Sequence, residues 1–221
     1  MDKEQFLSVK NSLPPHVKLV AVTKTHPPET VLEAYRLGHK IFGENKVQEL
    51  VAKQQVLPGD IEWHLIGHLQ TNKVKFIVPF ISMIQSVDSL KLMQVINSEA
   101  AKIDRVINCL LEFHIAGEET KFGLNMDEAR KILESDEYKA MKNVRICGVM
   151  GMASFTSDRN QIRKEFRSLV EIFQTLRSDY FADSEYFREI SMGMSGDYKI
   201  AIEEGATIVR LGTILFGERI K

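Results

Sequence analysis

Short β-branched runs alternate with longer helical stretches along nearly the whole chain, which predicts an α/β fold: a single (β/α)8 TIM barrel with an extra N-terminal helix. A further observation selects the closed barrel over an open doubly wound sheet. The first strand runs out through Val22-Thr23-Lys24-Thr25-His26-Pro27, without the G-x-G-x-x-G turn that a nucleotide-binding open sheet carries there. The 221 residues also show no linker, low-complexity segment or repeat, so residues 1–221 read as one domain with one core.

In chain order, a helix over residues 2–12 is closed by Pro14-Pro15. Strands are expected at 18–22, 40–43, 62–66, 83–86, 109–113, 145–149, 188–191 and 208–211. Pro27-Pro28 marks the first barrel helix, since proline suits the first helical turn. Ile162, Phe166, Leu169, Val170, Phe173 and Leu176 recur at helical spacing and predict a helix that covers one face of the sheet. Residues 197–204 read as the helix after strand seven. Cys109 and Cys147 fall inside strands and are expected as buried free thiols.

The composition narrows the ligands. With 44% hydrophobic residues, 27% charged residues and no apolar run near the roughly 18 residues of a membrane span, neither a membrane partner nor a span is expected. A net charge of -1 with interspersed signs supplies no basic face for nucleic acid. The start Met1-Asp2-Lys3-Glu4-Gln5 lacks the apolar stretch of a secretory signal, so a cytoplasmic location is expected. Small molecules remain as ligands.

A barrel of this type binds ligands at the C-terminal ends of its strands. Those ends carry Lys24, then Glu44 and Asn45, His68, Ser86 and Asp88, His114, Met150, the segment Ser191-Met192-Gly193-Met194-Ser195-Gly196, and Arg210-Leu211-Gly212-Thr213. The last two segments suit a phosphate, which barrels hold with the loops after strands seven and eight through open backbone N–H groups. The alternative leaves these glycines as turn residues and Ser195 as a helix N-cap. Lys24 also has two readings. It is a solvated surface charge, or it is an amine desolvated in the barrel mouth, whose depressed pKa permits Schiff-base formation. Lys46, Lys53 and Lys73 fall on or beside helices and are expected as outer-face charges. His64 lies in a strand and need not share a face with His68, so no metal site is expected.

Six segments carry a resemblance: Val20-Ala21-Val22-Thr23-Lys24-Thr25, Phe42-Gly43-Glu44-Asn45, Trp63-His64-Leu65-Ile66-Gly67-His68-Leu69-Gln70-Thr71-Asn72-Lys73, Gly148-Val149-Met150, Ser191-Met192-Gly193-Met194-Ser195 and Val209-Arg210-Leu211-Gly212-Thr213. In this order they resemble the pyridoxal-phosphate homeostasis proteins, the YggS/PROSC family, a fold-type III barrel related to the N-terminal domain of alanine racemase. The resemblance implies the cofactor pyridoxal 5'-phosphate (PLP), held as a Schiff base on Lys24. It implies Ser195, Gly212 and Thr213 at the phosphate, Arg210 at the pyridine nitrogen, and Asn45 and Met194 beside the cofactor. Asn45 can instead form an Asx turn, and Arg210 can instead be a salt-bridged core residue. Lys121 resembles the family's second functional lysine, with a solvated loop lysine as the alternative. His26 stands where a second lysine is common, and Gly196-Asp197 follows Ser195 where acidic residues are frequent.

Three functions fit these residues. One is a PLP-binding protein of intracellular vitamin B6 homeostasis without strong turnover, whose expected partners are PLP and PLP-accepting apo-enzymes and whose expected assembly is a monomer or weak dimer. The second is a PLP-dependent amino-acid racemase or decarboxylase. The third is a lysine-imine aldolase acting on a sugar phosphate. The barrel is expected to use the chain through Phe216-Gly217, leaving none for the β domain that brings fold-type III enzymes an opposing acid or base. That favours the carrier.

Overall fold

The computed structural model describes residues 1–117 and 123–217. Eight parallel strands close into a barrel in chain order: β1 (Lys18–Val22), β2 (Ile41–Glu44), β3 (Glu62–Leu65), β4 (Met83–Val87), β5 (Ile107–Phe113), β6 (Val144–Gly151), β7 (Glu189–Ser191) and β8 (Ile208–Leu211). Closure is made where β8 returns to β1, with Lys18 opposite Ile208 and Ala21 opposite Leu211. Among the described residues ten α-helices surround it: α1 (Lys3–Ser12), α2 (Pro28–Arg36), α3 (Val47–Gln54), α4 (Val74–Ile77), α5 (Leu90–Ala101), α6 (Met126–Glu134), α7 (Asp136–Lys139), α8 (Arg159–Tyr180), α9 (Tyr198–Glu203) and α10 (Thr213–Phe216). Among the described residues no helix is long and apolar enough to cross a membrane.

Both faces of every strand are covered, so the strands are apolar on both sides and alternation separates two cores. Leu19, Ala21, Phe42, Trp63, Leu65 and Val209 face the helices in the larger core. Val20, Met83, Leu110, Cys147, Met150 and Ile208 fill the barrel interior. Both cysteines are buried free thiols. On α8 the stripe Ile162, Phe166, Leu169, Phe173 and Leu176 is buried as its spacing requires, and Asp158 caps the helix by accepting N–H bonds from Asn160 and Gln161. The extra helix α1 is real: Asp2 caps it through Gln5 N–H at 3.0 Å, and its buried Phe6 packs its ring against those of His39 and Phe216.

Several expected boundaries move. β2 begins at Ile41 and reaches Glu44, β3 stops at Leu65, β4 reaches Val87, β7 begins at Glu189, and α9 runs only over Tyr198–Glu203. The largest changes are in β5, which begins two residues early at Ile107, and in β6, which runs from Val144 to Gly151. Their pairing shifts register between Cys109 and Leu110. At that step Gly148 has φ +151°, and a Cβ there would lie 1.8 Å from the Glu189 carbonyl oxygen. Only glycine permits so close an approach, and the shift blurs the period-two pattern from which strand ends are read.

Candidate functional site

The same alternation decides what each strand end presents. In β1, Val20 faces the interior and Ala21 the helices, so Thr23 continues outward and Lys24 inward; in β2, Phe42 and Glu44 face outward and Asn45 inward. A cavity of about 380 Å³ opens at this mouth, and its lining brings together Lys24, Asn45, Met194, Ser195, Arg210, Gly212 and Thr213.

Ser195 does not cap α9. Its hydroxyl instead accepts N–H bonds from Gly212 and Ile214, each at 3.3 Å, tying the loop after β7 to the start of α10. Gly193 makes this turn possible: its φ is +92°, and a Cβ would meet the Ala201 Cβ at 2.6 Å. Gly193→Ala is therefore expected to cost roughly 1–3 kcal/mol, combining a disfavoured backbone with overpacking. A thermal melt indistinguishable from that of the parent protein would contradict this account of the turn. Asn45 forms no Asx turn, because its buried Oδ1 has no hydrogen-bond partner.

Arg210 is fully buried, and a chain of hydrogen bonds runs from it through the barrel. Its Nη1 donates to Ser191 Oγ at 2.6 Å and its Nη2 to the Gly151 carbonyl at 3.1 Å. Ser191 donates to Gln85 Oε1 at 2.7 Å, and Gln85 Nε2 donates to His64 Nδ1 at 2.9 Å. An amide nitrogen can only donate, so His64 is neutral with its proton on Nε2. Burial, reinforced by Lys18, holds His64 down at about 3. Burial also lowers Arg210 to about 10, against the pull of Glu112 and Asp197, so it stays charged at neutral pH. Glu112 faces it from β5; burial first and Asp88 second push its carboxyl up to about 7, with Arg210 opposing.

One expectation is overturned. Lys53 is not an outer-face charge but is only 4% exposed, its ammonium donating to Glu44 Oε1 at 2.6 Å and to the Thr23 carbonyl at 2.7 Å. It lies on the inward stripe of α3 with Val47 and Leu50, where the outward ends of β1 and β2 supply oxygens to meet it. Lys46 is exposed, and Lys73 lies over the Phe76 ring. His64 and His68 have different partners: His64 meets Gln85 inside the barrel, and His68 Nδ1 sits 3.3 Å from Asp88 Oδ2. No cluster of His, Cys, Asp or Glu able to hold a metal ion occurs among the described residues. His26 packs against the Phe216 ring. Lys121 lies outside the described residues.

The loop after β6 supplies lining that sequence reasoning missed, including Met152, Ser154 and the fully exposed Phe155. Glu165 of α8 anchors this loop, accepting bonds from the Ser154 N–H at 2.7 Å, the Ser154 hydroxyl at 2.8 Å and the Gly117 N–H at 3.3 Å. Burial pushes the Glu165 carboxyl up, but these bonds prevail and hold it below the usual range. A glutamate within an otherwise apolar helical stripe is the one signal that pointed to it.

A family model described as alanine racemase, N-terminal domain, matches residues 3–220. The pyridoxal phosphate homeostasis protein of Aquifex aeolicus is 41% identical over 203 residues, covering 91% of this chain and 87% of that protein. Among solved structures, PipY of Synechococcus elongatus PCC7942 superposes without PLP at a TM-score of 0.89 and 35% identity, over 97% of this chain and 99% of that one. The same protein with PLP bound gives 0.86 and 34% over the same shares. Alanine racemase of Clostridium difficile 630 gives 0.78 at 14% identity, over 99% of this chain and 57% of that one, a likeness of fold alone. The chain belongs to the alanine racemase N-terminal domain family and, within it, to the pyridoxal phosphate homeostasis proteins.

Proposed function

We propose that the protein binds PLP at the barrel mouth, attaches it covalently to Lys24, and serves intracellular vitamin B6 homeostasis as a carrier without strong turnover. The observation that carries this reading is that, among the described residues, Lys24 is the one lysine lining the 380 Å³ cavity, which also holds Ser195, Gly212, Thr213 and Arg210. The residues fit the cofactor. Ser195 and the Gly212 and Ile214 N–H groups, joined now by bonds of 3.3 Å, form a donor set for a phosphate, and the partnerless Asn45 Oδ1 leaves a polar atom to satisfy beside the ring. When bound, PLP supplies an aldehyde that condenses with a primary amine.

The surrounding residues favour holding over turnover. Arg210 is a donor only, so a pyridine nitrogen against it is kept unprotonated and the ring is a weak electron sink. Racemisation also needs a proton donor on the face opposite the lysine. No observation at this cavity favours the racemase or the aldolase, and the Aquifex aeolicus homeostasis protein is 41% identical against 14% for the racemase. Cytoplasmic residence and delivery to PLP-accepting apo-enzymes complete the proposal.

The test is a titration with PLP and with pyridoxal, followed by visible absorbance. PLP is expected to bind much more tightly, and Ser195→Ala to weaken PLP by about ten- to a hundredfold, the scale of a hydrogen bond to a charged group. Equal affinities for the two aldehydes would eliminate the phosphate site. Amino-acid racemisation at roughly 1 to 1000 per second, lost in Lys24→Ala, would replace the carrier with an enzyme.

A further inference from the structure

Lys24 leaves β1 between two peptide groups, and a charged side chain of α3 grips each of them. On its N-terminal side, the Thr23 carbonyl accepts from Lys53 Nζ at 2.7 Å. On its C-terminal side, the Thr25 N–H donates to Glu49 Oε2 at 2.8 Å. Glu44 holds the first grip in place: its Oε1 accepts both the Lys53 ammonium and the Thr23 hydroxyl, each at 2.6 Å. With both flanking peptide planes fixed, the direction of the Lys24 Cα–Cβ bond is fixed too, because only the dihedrals between those planes could turn it.

Two features mark the arrangement as more than packing. Thr25 has φ +68°, a left-handed conformation that costs a β-branched residue of order 1–3 kcal/mol and persists only where its surroundings over-determine it. The Glu49 bond is made to the amide of that residue. The Lys53–Glu44 pair is buried at 4% and 0% exposure, and Glu44 Oε2 has no hydrogen-bond partner. A buried ion pair can often be exchanged for apolar residues at no cost to stability, so burial of this one is weak evidence of a purely stabilising role.

We propose that Lys53, Glu44 and Glu49 are positioning residues that clamp the Thr23-Lys24-Thr25 segment from outside the barrel and aim the Lys24 amine into the mouth. The proposal rests on the reading that Lys24 is the attachment point. The clamp acts on the covalent step, since it grips the Lys24 segment from α3, whereas the phosphate site is built from the loops after β7 and β8 and shares no residue with it.

The experiment compares the affinities of PLP and of pyridoxine 5'-phosphate, which has the same ring and phosphate but an alcohol where PLP has its aldehyde. Their ratio isolates the contribution of attachment. In the unsubstituted protein the ratio should be large, and in Lys24→Ala near one. In Glu49→Ala, and in the double variant Lys53→Met with Glu44→Gln, which leaves no buried unpaired charge, the ratio should fall about tenfold or more, the penalty of a misaimed reacting group. Affinity for pyridoxine 5'-phosphate should stay within about twofold of the parent value, inside the spread expected for sites that do not couple. Glu49→Gln keeps an acceptor for the Thr25 N–H and should restore the ratio. An unchanged ratio in both folded variants would overturn the clamp, as would a parallel loss of both affinities, which marks a general loosening of the mouth. A ratio near one in the unsubstituted protein would overturn attachment itself and the clamp with it, so the two failures are told apart.

Discussion

Lys24→Ala should abolish every borohydride-stable adduct between PLP and the protein, while the melting temperature stays within a few degrees of the parent value. Among the described residues Lys24 is the one lysine in the cavity lining, so its removal takes away the amine placed there to react. Its side chain is half-buried and belongs to neither apolar cluster, and a substitution that removes no packed core volume has little effect on stability. Binding itself should persist more weakly through Ser195, Gly212 and Thr213. Peptide mass spectrometry of the reduced parent protein makes the decisive measurement. An adduct on Lys73 or Lys121 rather than Lys24 would refute the assignment.

The inward positions at the strand ends were legible because period two is a strict rule in a barrel. Once residues 18–22 are a strand, Lys24 must face the mouth, and the same count from β2 and β8 delivers Asn45 and Arg210. The outward positions were not legible. Whether Lys53 meets water or Glu44 depends on which side of α3 rests on the sheet, and a helix of eight residues gives little pattern to decide that. The left-handed Thr25 and its bond to Glu49 are invisible for another reason. Threonine carries no preference for that conformation, so it appears only when contacts distant in sequence impose it. Phe155 was missed because a loop has no period, and Glu112 because a carboxylate inside a strand reads as one more alternating polar residue.

Arg210→Met should destabilise the protein by about 1–3 kcal/mol at pH 8, the cost of leaving buried polar partners unsatisfied, and by clearly less at pH 5. Methionine is of similar length, so the cavity term is small, and what is lost is the cation among Glu112, Asp197 and Ser191. In the parent protein Glu112 already sits near 7 instead of its ordinary 4.5, raised by burial and Asp88 and restrained by Arg210. A carboxyl whose folded pKa is raised binds its proton more tightly in the native state. Its contribution is complete below the unfolded value and is lost as pH rises through the folded one, at no more than about 1.4 kcal/mol per pH unit. Without Arg210 only the two raising influences remain. The window of loss then extends above pH 7, and Asp197, which Arg210 also restrains, moves the same way. Adding Glu112→Gln to Arg210→Met should therefore recover most of the stability lost at pH 8 and little at pH 5. His64 acts in the opposite sense, because its depressed value makes stability rise with pH between about 3 and 6.5, but it is present in the parent, in Arg210→Met, in Glu112→Gln and in the double variant, and cancels in the cycle these four make. Urea unfolding of the four proteins at both pH values supplies the numbers. Equal losses at pH 5 and pH 8, with no recovery from Glu112→Gln, would mean that Arg210 holds the mouth together by its bonds to Ser191 and Gly151 and not by its charge.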